Sequence, residues 1–161
     1  PVNSQVPEAD VISVANAAFQ EWMDNNPADG KYIRFVYGGA TTTETPTNPS
    51  RDYANTVSFE PLNSTYSNAI AITFYWYYRG SKELVEADTV FNSDLPWSVS
   101  NDPNSYDLQN IATHEFGHWL VLGDLYSPRD SYLTMYGYGF LGEIIKSTLG
   151  KGDISGINRI Y

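Results

Sequence analysis

Apolar residues at Val11, Ile12, Ala15, Ala18, Phe19, Trp22 and Met23 recur every three or four positions, which predicts a helix over residues 8 to 24. Asn25-Asn26-Pro27 follows and stops it. Lys31 to Tyr37 alternates apolar and polar side chains up to Gly38-Gly39, which predicts a strand. Residues 40 to 52 are rich in Thr, Pro and Asn and read as loop. Strands are expected at Thr56 to Phe59, at Leu84 to Phe91 and at Ala69 to Tyr78, the last with a strong aromatic and β-branched bias. A loop with Pro96 and Pro103 leads to the clearest helix, Ser105 to Val121. Leu108, Ile111, Ala112, Phe116, Trp119 and Leu120 form its apolar stripe. Asn104 or Ser105 is the expected cap, with Asp107 in the first turn, where the helix dipole favours negative charge. An irregular Tyr- and Gly-rich stretch runs to Gly142, and Ile154, Ile157, Ile160 and Tyr161 mark a closing helix. This order predicts an α+β domain of mixed α/β character, one domain over residues 1–161.

Composition narrows the function classes. Hydrophobic residues are 42% of the chain and charged residues 17%, which excludes a disordered segment. Nine Lys and Arg stand against nineteen Asp and Glu, a net charge of −10 that repels nucleic acid and anionic lipid. No apolar run approaches the roughly 20 residues needed to cross a bilayer. Zero cysteines exclude thiolate metal sites, disulfides and cysteine nucleophiles. A surface rich in Asn, Ser, Thr and Tyr suits an extracellular, secreted setting. Pro1 to Gln5 lacks the features of a signal peptide, so any targeting or pro-segment is expected to be absent from this chain.

The chemistry concentrates in the second helix. The two histidines of the protein, His114 and His118, lie four residues apart with Glu115 between them. Positions four apart on a helix are separated by about 40° around the axis, so both imidazoles can meet one Zn²⁺. Glu115 is turned about 100° from His114, too far round to be a ligand but close enough to reach water held there. A catalytic zinc needs a third protein ligand, and with no third histidine it must be a carboxylate. Asp124, just after Gly123, is the first beyond the helix. Glu143 is the alternative, and would make a gluzincin-type site.

His114-Glu-Phe-Gly-His-Trp-Leu-Val-Leu-Gly-Asp124 resembles the metzincin zinc signature in its matrixin form, as in matrix metalloproteinase catalytic domains. The resemblance extends along nearly the whole chain. Val11 to Trp22 with Ile33-Arg34-Phe35 is similar to that family's first helix and strand. Glu86 to Phe91 with Trp97-Ser98, and Leu149 to Tyr161, are similar to its later elements. Thr134-Met135-Tyr136 stands where the family has its Met-turn. The resemblance implies a twisted, mostly parallel sheet with an antiparallel edge strand, an active-site helix and a C-terminal helix. It implies zinc on His114, His118 and Asp124, Glu115 as general base and acid, and Met135 beneath the metal. Ala69 to Tyr78 would be the edge on which an extended substrate pairs, and Tyr136 to Gly139, with Tyr136 and Tyr138, would wall the main pocket. The implied activity is a zinc-dependent endopeptidase, monomeric, acting on peptide or protein substrates, with an apolar or aromatic side chain in that pocket. The alternative is a metal-binding but non-hydrolytic module that binds peptides or proteins, for which Glu115 would have no use.

Three positions depart from the family pattern. Asp124 replaces the usual third histidine and lowers the net charge at the site by one, so water there should be a weaker acid. Val121 replaces the glycine at the helix exit, so either the helix runs on to Gly123 or the exit is distorted. Val90 stands where matrixins carry a histidine for a second, structural zinc. Structural Ca²⁺ could replace it through Asn92, Asp94 or other loop oxygens, though nothing here approaches a complete ligand set.

Overall fold

A computed structural model of the chain describes residues 6–25, 33–40, 50–81 and 83–161. The first helix, α1, spans Glu8–Asp24, where the apolar spacing put it. Its buried face carries Ala18 and Trp22, and Phe19 stacks on Phe116 at 3.7 Å between ring centroids. The indole Nε1–H of Trp22 donates to the carbonyl of Thr113 at 2.8 Å, which fixes α1 against the second helix.

The strand expected over Lys31 to Tyr37 is not found in its described part. Residues 31 and 32 lie outside the described residues, and 33–37 carry no strand assignment. Side-chain contacts hold this segment instead: Ile33 is buried, and Phe35 stacks on Phe19 at 4.2 Å. The Phe35 amide turns to the Met23 sulfur at 3.3 Å. Alternation reports a buried face, and a loop packed on a helix can present one without a ladder.

Three strands make the principal sheet, in the order β1 (Val57–Glu60), β3 (Leu84–Asn92), β2 (Ala71–Tyr77). The sheet is mixed. β1 runs parallel to β3, and β2 is an antiparallel edge strand. β3 is the central strand and its last seven residues are all buried, acidic ones included. Those charges are tolerated because each meets donors. Glu86 accepts from the amides of Asp52 and Tyr53, and Asp88 from the amide and hydroxyl of Thr56. Burial pushes the Asp88 carboxyl above its ordinary range, against the Thr56 hydrogen bonds. Val90, in place of the histidine of a second zinc site, is fully buried opposite Ile72. An apolar pair fills that position. The calcium expectation finds no support either, because the Asn92 side-chain oxygen accepts the Asp94 amide at 3.1 Å.

The second helix, α2, spans Leu108–His118, three residues shorter at each end than the pattern suggested. Its start is displaced because Tyr106–Asp107 (β5) pairs with Trp97–Ser98 (β4) in a two-stranded parallel ladder. Asp107 is therefore the cap itself, not a first-turn residue, and accepts the Asn110 amide at 2.8 Å. The whole predicted stripe is buried, as are Asn110, Thr113, His114 and Glu115, so α2 is enclosed nearly all round. Each large apolar side chain buried there is worth about 1.5–3 kcal/mol.

At its far end α2 neither runs on to Gly123 nor loses its closing hydrogen bonds. The Val121 amide donates to His118 O at 2.9 Å and the Leu122 amide to Gly117 O at 3.2 Å. This pair of bonds is the Schellman closure, which needs a left-handed residue between them. Val121 is that residue, at φ 62°. The glycine geometry is kept with a β-branched side chain in it. A third helix, α3 (Lys151–Ile160), closes the chain. Val121→Gly should relieve about 1–3 kcal/mol of strain and return about 0.4–1 kcal/mol in unfolded-chain entropy. A net gain of about 1 kcal/mol in urea unfolding is expected; a loss would mean that Val121 is not strained.

Candidate metal centre

The closure at Val121 turns the chain back so that Asp124 faces the two histidines. Asp124 Oδ1 lies 3.2 Å from His114 Nε2 and 3.7 Å from His118 Nε2. Ligand atoms at the corners of a tetrahedral zinc site stand about 3.3 Å apart, given bonds of about 2.0–2.1 Å. The donor set and its spacing therefore fit zinc. Among the described residues these three form the group of His, Asp or Glu side chains whose ligand atoms can share one ion. Glu143 does not join them: its carboxylate accepts the Phe140 amide at 3.1 Å and lies 3.8 Å from Lys146 Nζ. The gluzincin alternative is not favoured.

Each imidazole is oriented through its other nitrogen. His114 Nδ1 lies 2.8 Å from the Thr134 carbonyl and His118 Nδ1 2.7 Å from the Leu122 carbonyl. A carbonyl can only accept, so both Nδ1 atoms carry the hydrogen and both Nε2 lone pairs are left for a metal. Asp124 is steadied in the same way, its Oδ2 accepting from the Tyr126 hydroxyl at 3.2 Å. A short parallel bridge between Leu125 and Tyr136 ties the Asp124 loop to the Met135 turn.

Met135 is buried against the zinc helix at Gly117, one residue before His118. A Cβ at Gly117 would fall 2.2 Å from Met135 Sδ and 2.7 Å from Trp22 Cζ2, so only glycine fits. The turn hangs from α3. Asp153, 3% exposed, accepts the amides of Thr134 at 2.9 Å, Met135 at 3.0 Å and Gly150 at 2.8 Å. Asp153 and Tyr126 were not singled out in the sequence. Asp153 has a visible signal, an acid in the first turn of a helix that accepts the Gly150 amide. Its other two targets, the Thr134 and Met135 amides, are long-range and no local pattern reveals them.

A cavity of about 550 Å³ opens beside the centre, lined by strand β2, Glu115, Ile111, Tyr138 and Lys146. Of the two tyrosines expected to wall the pocket, Tyr138 lines this cavity and Tyr136 does not. Lys146 was missed by the sequence reading. Its side chain is only 2% exposed, its Nζ donates to the Tyr138 carbonyl, and Glu143 faces it. Burial pulls its pKa below the usual lysine range, only partly offset by Glu143, Glu115 and Asp124.

The contact between His114 and Asp124 couples their titration. Burial alone would lower the His114 pKa, but the Asp124 hydrogen bond, the Glu115 charge and the Thr134 carbonyl together raise it above 6.5. Asp124 is held below its ordinary value, chiefly by its hydrogen bond to His114. Zinc must displace the His114 proton, so affinity should fall about tenfold per pH unit below that raised pKa. Competition titrations against a chelator should show the fall beginning above pH 6.5; affinity unchanged down to and through that pH would contradict the hydrogen-bonded pair.

A family model described as Matrixin matches residues 1–161. Human matrix metalloproteinase-16 is 37% identical over 79 residues, 48% of this chain and 12% of that protein. Human matrix metalloproteinase-25 is 33% identical over 78 residues, 48% of this chain and 14% of that protein. Interstitial collagenase of Equus caballus is 28% identical over 165 residues, 97% of this chain and 29% of that protein. The chain thus spans less than a third of the length of these relatives. With the family match over its full length, this chain belongs to the matrixins, a family of zinc metalloendopeptidases.

Proposed function

We propose that the chain is the catalytic unit of a zinc endopeptidase, with His114, His118 and Asp124 as ligands and Glu115 as general base and acid. One observation carries this reading: two Nε2 atoms and a carboxylate oxygen converge beside a buried glutamate, in a cleft under a free strand edge. Zinc, when bound, supplies a Lewis acid that polarises the peptide carbonyl and acidifies water. Glu115 takes a proton from the attacking water and returns it to the leaving amine as the C–N bond breaks. Water adds to the carbonyl carbon, and the products are a carboxylate and an amine.

β2 pairs with β3 on one side only among the described strands, so its outer edge can take an extended peptide by backbone pairing. Ala71, Ile72, Thr73 and Tyr75 of that strand line the cavity, together with residues 68–70 just before it. The pocket suits an apolar or aromatic side chain, since Ile70, Ile111, Tyr106 and Tyr138 line it and the Lys146 amine is engaged by Tyr138 and Glu143. Met135, packed beneath the zinc helix, serves as an apolar floor. We read the setting as extracellular and the substrate as peptide or protein; no helix among the described residues is long and apolar enough to cross a membrane.

Casein hydrolysis by the zinc-loaded chain tests the reading. Glu115→Gln should lower turnover by about 10²–10⁴-fold with zinc still bound. Asp124→Ala should lose zinc at stoichiometric concentrations. Zinc binding with no cleavage of casein or gelatin at any pH would favour a non-hydrolytic binding module instead.

A further inference from the structure

Glu115 is held from a direction that the zinc signature does not specify. The Thr73 hydroxyl lies 2.7 Å from Glu115 Oε2 and 3.3 Å from the Glu115 carbonyl. Thr73 stands opposite Thr89 in the β2–β3 register, and their hydroxyls are 2.8 Å apart. The Trp119 indole Nε1–H reaches the Thr89 hydroxyl at 2.9 Å. We propose that Thr73 is a positioning residue for Glu115, at the end of a one-way hydrogen-bond chain from Trp119 through Thr89 to the carboxylate. The proposal rests on the reading of Glu115 as general base.

Donor accounting gives the chain its direction. An indole N–H can only donate, so Thr89 accepts from Trp119 and is free to pass its own hydrogen to Thr73. Thr73 then has one hydrogen left, with the Glu115 carboxylate and carbonyl in reach. The charged oxygen, at the shorter distance, is the stronger acceptor. Every donor therefore points toward the carboxylate. Thr89 is fully buried and Trp119 nearly so, and in such low-dielectric surroundings successive bonds polarise one another.

The effect on catalysis is geometric. A glutamate side chain has three rotatable bonds, and a free one spreads its carboxylate over several rotamers. Thr73 engages Oε2, and no other hydrogen bond among the described residues engages Oε1, which is left to take the proton. Thr73 also belongs to the edge strand on which we dock the peptide, and it lines the same cavity. One strand thus sets both the substrate track and the base. A proton acceptor must sit within hydrogen-bond reach of its proton, so this shared frame aligns the two.

The test compares Thr73→Val, which keeps the shape and removes the hydroxyl, with Thr73→Ser, which keeps the hydroxyl. Fluorescein-labelled casein is the substrate, and activity is expressed per folded, zinc-loaded molecule. Thr73→Val should lower kcat by about 10- to 100-fold, with KM within about twofold and zinc affinity unchanged. Thr73→Ser should recover most of the loss, and Trp119→Phe, acting through two bonds, should show a smaller fall in kcat. A merely structural role would lower the unfolding midpoint of Thr73→Val and leave kcat per folded molecule alone. Wild-type kcat in Thr73→Val, or equal impairment in Thr73→Ser, overturns the proposal. Glu115→Gln, run in parallel, separates the two readings: if it is inactive while Thr73→Val is fully active, only the positioning role falls. If Glu115→Gln is itself active, the base and its positioning fall together.

Discussion

Two backbone carbonyls govern this site. Thr134 O and Leu122 O each accept from the Nδ1 of a histidine, and so decide that both Nε2 atoms face the same point. An imidazole hydrogen-bonded the other way round would offer the metal a nitrogen about 2 Å out of place, and a helix with the right spacing would still bind nothing. The spacing of His114 and His118 is necessary for a shared ion. The carbonyls turn both Nε2 atoms toward Asp124.

Both carbonyls are held by parts of the chain that carry no metal chemistry themselves. The Leu122 carbonyl is delivered by the closure at Val121, where a β-branched residue sits at φ 62° because two backbone bonds demand it. The Thr134 carbonyl is delivered by the Met135 turn, whose amides are gathered by Asp153 at the start of α3. That buried carboxylate faces backbone donors, which is why it can be taken out of water at all. Strain at one end and a buried charge at the other are local costs that hold the two imidazoles in place. Packing completes the arrangement, since Met135 and Trp22 close on Gly117 from two sides.

The candidate site could be singled out in the sequence. Helical spacing pointed to His114, Glu115 and His118, and the lack of a third histidine left a carboxylate as third ligand. Asp124, the first beyond the helix, is the one that the fold brings to the two histidines. The strands β1, β2 and β3 and the outer helices fall close to where hydrophobic spacing put them. The errors came where tertiary contact overrides a local pattern. Tyr106 and Asp107 look like the start of a helix but are taken by a two-residue ladder with Trp97 and Ser98. Ile33 and Phe35 alternate like a strand, but Ile33 is buried and Phe35 half-buried against Phe19 of α1 without a ladder among the described residues. The Asp153 contacts to Thr134 and Met135 and the Thr73–Thr89 pair were invisible because only the fold brings those partners near. Tyr126 and Lys146 instead reach Asp124 and Glu143 close by in the chain, through side-chain geometry that no periodic pattern reports.

The account stands or falls on which nitrogen of each imidazole meets the ion. Long-range ¹H–¹⁵N NMR of the zinc-loaded protein reads this directly, because protonated and metal-bound ring nitrogens differ in shift. We expect both histidines to carry hydrogen on Nδ1 and zinc on Nε2. A spectrum with hydrogen on Nε2 of either ring would contradict the central role given to the Thr134 and Leu122 carbonyls.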